Sequence, residues 1–133
     1  MDTLLEYSTN DGLPEGYEIN VFSYNDQVLA CTGVSGIIAY SSTAKKHFSP
    51  LFRFVSANNS QITKAVQFEN DIWIASVYNA ENNTKVDELS VLKKTGNSFE
   101  QDYKLLKRIR ELSGKCFLVD SDKVFIGTND GLI

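Results

Sequence analysis

Val28-Leu29-Ala30-Cys31-Thr32, Ile72-Trp73-Ile74-Ala75-Ser76 and Val124-Phe125-Ile126-Gly127-Thr128 are three versions of one pattern. Each runs aliphatic, large apolar, apolar, small, hydroxyl. Each follows a polar turn, and each turn follows another apolar run. Leu29, Trp73 and Phe125 stand 44 and then 52 positions apart. Stretches such as Ile72 to Val77 are almost continuously apolar and do not alternate, which in a strand means that both faces are covered.

The surrounding sequence extends the pattern. Ile19 to Tyr24 ends at Asn25-Asp26, Gly36 to Tyr40 ends at a Ser-Ser-Thr loop, Val66 to Phe68 precedes Glu69-Asn70-Asp71, and Cys116 to Val119 precedes Asp120-Ser121-Asp122. Short runs rich in Val, Ile, Phe and Tyr with two- to four-residue polar interruptions are hairpin signals, not crossover helices. The expected strands are 19–24, 28–32, 36–40, 62–68, 72–78, 88–93, 116–119 and 124–128. Self-similarity at about 40–50 residues is the mark of a β-propeller built from four-stranded blades. The fold class is therefore expected to be all-β, a propeller fragment of about three four-stranded antiparallel blades. The 133 residues make one unit, 1–133, with approximate repeats 7–51, 52–103 and an incomplete 104–133. The expected core is Phe22, Leu29, Ile37, Val66, Phe68, Trp73, Ile74, Phe117, Phe125 and Ile126. A fully buried Trp73 would cost about 3–5 kcal/mol on truncation to Ala.

One stretch fits two readings. Between Ser98 and Leu112 the residues Phe99, Tyr103, Leu106, Ile109 and Leu112 fall at helical spacing, and Ser98 with Gln101 can make a capping box. Phe99, Tyr103 and Leu105 also share one parity, and Lys94-Thr95-Gly96-Asn97 is a good hairpin turn. A hairpin of 88–93 with 98–103 is favoured, and a short helix is the alternative. Ala80 to Lys85 reads as an exposed loop.

Composition bounds the rest. Apolar residues make up 42% and charged residues 23%, which excludes a disordered tail, and 8 Gly with 2 Pro exclude collagen-like chains. A net charge of -4 argues against nucleic acid or an anionic membrane surface as partner, since phosphate binding needs a basic face. No run of about 18 apolar residues is present, so no span is expected, and Met1 to Tyr7 lacks the basic start of a signal peptide. The final turn-and-strand, Gly127 to Ile133, suggests a piece excised from a longer chain. Cys31 and Cys116 are far apart and outside any C-x-x-C pair, so both are expected as small buried hydrophobes.

Asp11-Gly12-Leu13-Pro14 is followed by Ile19, Phe22, the turn Tyr24 to Gln27, Leu29-Ala30-Cys31-Thr32, Gly36-Ile37, Tyr40 and Phe48-Ser49-Pro50-Leu51. This succession resembles the two-component regulator propeller repeat, with D-G-L-P, a turn, L-W-[IV]-G-T, then G-L and an aromatic. Ile62 to Ser76 is similar to a second copy, with Trp73 at the signature tryptophan. Ser113 to Leu132 is similar to a third. Leu29 and Phe125 stand in place of the tryptophan, Cys31 and Ala75 in place of the glycine, and no G-L follows Ser76. The repeat occurs in sensor regions of bacterial hybrid two-component histidine kinases, many of them governing polysaccharide use in gut Bacteroidetes. The resemblance thus implies a periplasmic, ligand-sensing segment, with an oligosaccharide as ligand and a parent anchored in the inner membrane. The alternative is a non-catalytic protein-interaction propeller.

Little in the sequence points to chemistry. The single histidine, His47, sits in a polar loop and is expected to be exposed. No G-x-S-x-G, H-E-x-x-H or Cys/His cluster is present. Asp26, Asp71, Asp120, Asp122 and Asp130 lie in turns, where aspartate has a backbone reason to be, and no dense oxygen set with a closing Glu suggests calcium. Asn58-Asn59-Ser60 and Asn82-Asn83-Thr84 match the glycosylation sequon but read as loop composition. Lys104, Lys107, Arg108 and Arg110 are interspersed with acidic residues and read as a solvated face. The segment is expected to be non-catalytic, with no catalytic, cofactor-binding or metal-binding residue assigned, no cofactor, and ligand-binding residues unidentified. About three blades leave an apolar face at each end, so the chain is expected to form a homo-oligomer or to be completed by further blades of its parent.

Overall fold

The computed structural model describes residues 4–15, 19–32, 36–52, 61–79, 81–102, 112–128 and 131–132. They form an all-β protein: eleven strands and a single 3-10 turn at Thr9–Asp11, with no α-helix among the described residues. The strands are β1 (Ile19–Tyr24), β2 (Gln27–Thr32), β3 (Gly36–Tyr40), β4 (Phe48–Phe52), β5 (Gln61–Phe68), β6 (Asp71–Asn79), β7 (Lys85–Thr95), β8 (Ser98–Asp102), β9 (Leu112–Asp120), β10 (Lys123–Thr128) and β11 (Gly131–Leu132).

They make three open sheets, ordered β1-β2-β3-β4, β5-β6-β7-β8 and β9-β10-β11, with every neighbouring pair antiparallel and consecutive in the chain. Each sheet begins with the same hairpin, a long pair closed by a two-residue turn. Tyr24 pairs Gln27, Phe68 pairs Asp71 and Asp120 pairs Lys123. The turn residues Asn25 and Asp26 both have positive φ, the geometry that continues the right-handed twist of two joined strands. Leu29, Trp73 and Phe125 are each the third residue of the second strand, opposite Phe22, Val66 and Leu118. The sequence repeat is therefore a repeat of register.

The sheets stack. Leu29, Cys31 and Ile37 of the first sheet pack with Ile62, Ala65, Ile72, Ile74 and Leu92 of the second in one core. Ala75 and Leu89, from the other side of the second sheet, pack with Ile126 of the third, with Val66, Trp73 and Val124 around them. In β6, Ile72 and Ile74 thus face the first sheet while Trp73 and Ala75 face the third. That is why this strand carries no apolar–polar alternation. β1 lies against β5 and β5 against β9, whereas the outer strands β4 and β8 meet only slightly.

Several expectations need correction. Trp73, Val66, Phe68, Phe22 and Phe125 are half-buried, whereas Leu29, Ile37, Ile74 and Ile126 are buried as expected. Trp73 packs against the Ala75, Leu89 and Ile126 cluster between the second and third sheets and stays partly exposed. The side chains of Phe117 and Cys116 lie outside the described residues. Phe48–Phe52 was not expected as a strand. It carries Pro50 opposite Ile38 at the sheet edge, where a missing N–H disrupts no inner ladder. Ser98–Asp102 is the second arm of a hairpin with β7, and positions 103–111 lie outside the described residues. Residues 81–85 are exposed.

Candidate functional site

The meander places the turns 25–26, 69–70, 96–97 and 121–122 and the loop 41–47 at one end of the stack. Two groups of side chains gather there. The first links the first two sheets. Gln67 accepts from the Asn25 backbone N–H at 2.8 Å, and its amide donates to Asn25 Oδ1 and to the Glu69 carbonyl, each at 2.7 Å. Tyr24 donates to the Asn70 carbonyl at 2.6 Å. Burial, and then the Asp71 carboxylate, push the Tyr24 phenol above its ordinary value. Asp71 also accepts from the Lys94 backbone N–H at 3.2 Å, which ties this turn to the β7–β8 hairpin.

The second group is aromatic and involves the N-terminal arm. Ser8 caps the turn at Thr9–Asp11 with its side chain, and Asp11 returns a bond to the Ser8 backbone N–H at 2.8 Å. Gly12 follows with φ 97, and a side chain there would collide with the Phe48 carbonyl. The arm is thereby held against β4 with Tyr7 over β3. The Tyr7 ring meets Tyr40, His47 and Phe48 edge-on at 5.6, 5.6 and 5.5 Å between centroids. The Tyr7 and Tyr40 hydroxyls are hydrogen-bonded at 2.9 Å, and that bond, with partial desolvation, raises the Tyr7 pKa.

His47 is half-buried in this cluster, not an exposed loop residue as expected. Its Nδ1–H donates to the Ser41 carbonyl at 3.0 Å, while the Ser41 N–H donates to the His47 carbonyl at 2.7 Å. The histidine closes its own loop, and only Nε2 is left to face a ligand. Nothing in its immediate sequence revealed this, since the partners Tyr7 and Tyr40 come from 40 and 7 positions away.

The remaining candidates are dispersed. Asp26 and Asp122 are exposed turn residues, Asp120 is the exposed last residue of β9, and Asp130, Asn58 to Ser60 and Lys104 to Arg110 lie outside the described residues. Asn82 and Thr84 close on each other by a turn bond at 3.2 Å. Cys31 is buried, and desolvation pushes its thiol to about 12, so it packs as an apolar group. Among the described residues no group of three or more His, Cys, Asp or Glu side chains is placed to hold a metal ion, and no helix is long and apolar enough to cross a membrane. What the cluster offers chemically is a half-buried aromatic surface edged by two phenol hydroxyls and an imidazole. Such a surface suits a ligand with both C–H faces and hydroxyl groups.

The stack of antiparallel meanders defines an all-β protein of repeated sheets. No family model, no curated protein and no solved structure matches the chain.

Proposed function

We propose that the chain is a β-propeller segment whose sheets are successive blades, and that it serves as the oligosaccharide-sensing part of a periplasmic two-component sensor. The observation that carries the architectural half is the repeated joint. The same register positions dock the first sheet on the second and the second on the third, while first strands converge and outer strands diverge. Radial packing of meanders about an axis has this form. The sensing half rests on the resemblance of Asp11 to Pro14 and of the three Leu29/Trp73/Phe125 segments to the sensor repeat. The Tyr7–Tyr40–His47–Phe48 surface is the described place where a sugar ring would find both stacking area and hydrogen-bond partners.

The test has two arms. The reading frame that encodes the chain is examined for a membrane helix and a histidine-kinase core, and the chain is titrated with a panel of plant and host oligosaccharides by calorimetry. Saturable binding that Tyr40→Ala abolishes, with a kinase core in the frame, supports the reading. A frame with neither kinase core nor membrane helix, and no binding, overturns it in favour of a protein-interaction scaffold.

A further inference from the structure

Among the described residues, the three stacked sheets leave two faces without a neighbour, and the register identifies them as the two halves of one joint. In the first sheet, Leu29, Cys31 and Ile37 form the face that meets the second sheet. In the second, Trp73, Ala75 and Leu89 occupy the same register positions and meet the third. In the third, Phe125, Gly127 and Leu132 occupy them again, with Leu118 opposite Phe125. This last face has no neighbour among the described residues, and Leu118 and Leu132 are 62% and 72% exposed. Ile37 and Leu89, the counterparts of Leu132, are 0% and 5% exposed, and Phe22 and Val66, the counterparts of Leu118, are half-buried.

The receiving half repeats in the same way. Ala65, Ile72 and Ile74 present the second sheet to the first, and Val124 and Ile126 present the third to the second. The corresponding residues of the first sheet are Val21, Val28 and Ala30, where Val21 pairs Ala30 as Ala65 pairs Ile74. Val21 and Val28 are 67% and 45% exposed. The same side of β3 is already occupied at Tyr40, where Tyr7 of the N-terminal arm lies. Ala30 and its partner Ile38 on this side are already buried, so the open strip is Val21 and Val28, on β1 and the start of β2.

We infer that two copies of this chain join head to tail, the Leu118/Phe125/Leu132 face of one docking on the Val21/Val28 face of the next. The second copy thereby repeats the joint that each copy already makes twice internally. The contact is heterologous, so it either closes into a ring or continues into a fibre. Two copies bring together six sheets of described residues, within the range of about four to eight at which radial stacks close. Closure as a pair rests on the propeller reading proposed above, whereas the joint itself does not.

The experiment is mass in solution by light scattering on a sizing column, on the wild type and on Leu118→Glu and Val21→Glu. Both substitutions fall on exposed residues, so each chain should keep its β circular dichroism signal; Leu132→Glu and Val28→Glu repeat the test on a second pair. The wild type is expected at twice 14.9 kDa. Each variant alone is expected to be monomeric, because every joint needs one face of each kind. An equimolar mixture of the two is expected to restore a dimer, with one intact joint. A folded wild-type monomer overturns the proposal. So does a dimer that either variant keeps by itself, since that is the behaviour of a like-to-like interface. Long wild-type chains capped by either variant uphold the joint while defeating ring closure, and with it the six-sheet propeller.

Discussion

Tyr24 and Asn70, 46 positions apart, are joined at 2.6 Å across the seam between the first and second sheets. Tyr24 ends β1 and Asn70 lies in the turn after β5, so the bond fixes how far one hairpin can slide along the other. Its neighbour in the same seam is the Gln67–Asn25 pair. Tyr24→Phe keeps the ring, including its edge-on contact with Phe99, and removes only the hydroxyl. The expected loss is about 1 kcal/mol in urea unfolding, the net worth of a buried hydrogen bond. No loss at all would show that the seam is not held here.

Ile74 should matter more than Trp73, despite the tryptophan's size. Ile74 is fully buried between the first two sheets, while Trp73 is half-buried and meets Phe68 edge-on at 6.1 Å. Ile74→Ala is expected to cost about 3–4 kcal/mol and Trp73→Ala about 2 kcal/mol. A reversal of that order in chemical denaturation would mean that the second and third sheets pack more tightly than the structure has them.

The legibility of the fold follows from the same residues. β6 could be read because both of its faces are covered, so Ile72 to Val77 carries apolar residues without a break. The hairpin turns could be read because Asn and Asp tolerate positive φ at little cost. β4 could not, since Pro50 in the middle of Phe48–Phe52 counts against an inner strand. The half-burial of Trp73 was also hidden, because residue type reports preference for burial and not which side of a seam is open. At the candidate site the individual residues were visible but their meeting was not. Tyr7, Tyr40 and His47 come together only once the arm crosses β3, and Gln67 bridges to Asn25 over 42 positions.

Alkali should destabilise the protein before it reaches ordinary tyrosine titration. Burial holds the Cys31 thiol at about 12 in the folded state, against 9.0 for an unperturbed thiol. The unfolded chain therefore loses its proton first, and stability falls as pH rises from 9 towards 12, at roughly 1.4 kcal/mol per pH unit from this group. Tyr24, whose pKa is also raised, acts in the same direction above pH 10. Urea midpoints between pH 7 and pH 11 measure the slope, and Cys31→Ala should flatten its lower part. In the native protein Cys31 should also resist a thiol reagent at pH 8 until denaturant is added. Rapid labelling of Cys31 in the folded chain would contradict its burial.

Gly12→Ala tests how the arm is held. The residue has φ 97, and a methyl group there would strike the Phe48 carbonyl, so the substitution meets both backbone strain and a clash. The arm should lift from β4, exposing Tyr7 and the bond after Ser8 to protease. The sheets do not depend on this contact, so the main unfolding transition should move by less than about 1 kcal/mol. A variant as protease-resistant as the wild type would show that the arm does not sit as described.

Ser76 and Ser90 should respond in opposite directions to the same substitution. Both are about 1% exposed on the side of the second sheet that faces the first. Ser90 Oγ accepts from the Gln101 amide at 2.9 Å, whereas Ser76 Oγ is buried without a hydrogen-bond partner among the described residues. An unpaired buried hydroxyl has given up its water and gained nothing, a penalty on the order of 1–3 kcal/mol. Ser76→Ala removes that penalty and leaves only a small void beside Ile62, which pairs with Ser76 across β5 and β6. It should therefore raise stability by about 1 kcal/mol. Ser90→Ala removes the bond to the Gln101 amide and should lower stability by about 1 kcal/mol. Thermal unfolding of the two variants beside the wild type decides the matter. A destabilised Ser76→Ala would mean that its hydroxyl has a partner after all, a bound water being the simplest, and that this seam is wetter than its apolar lining implies.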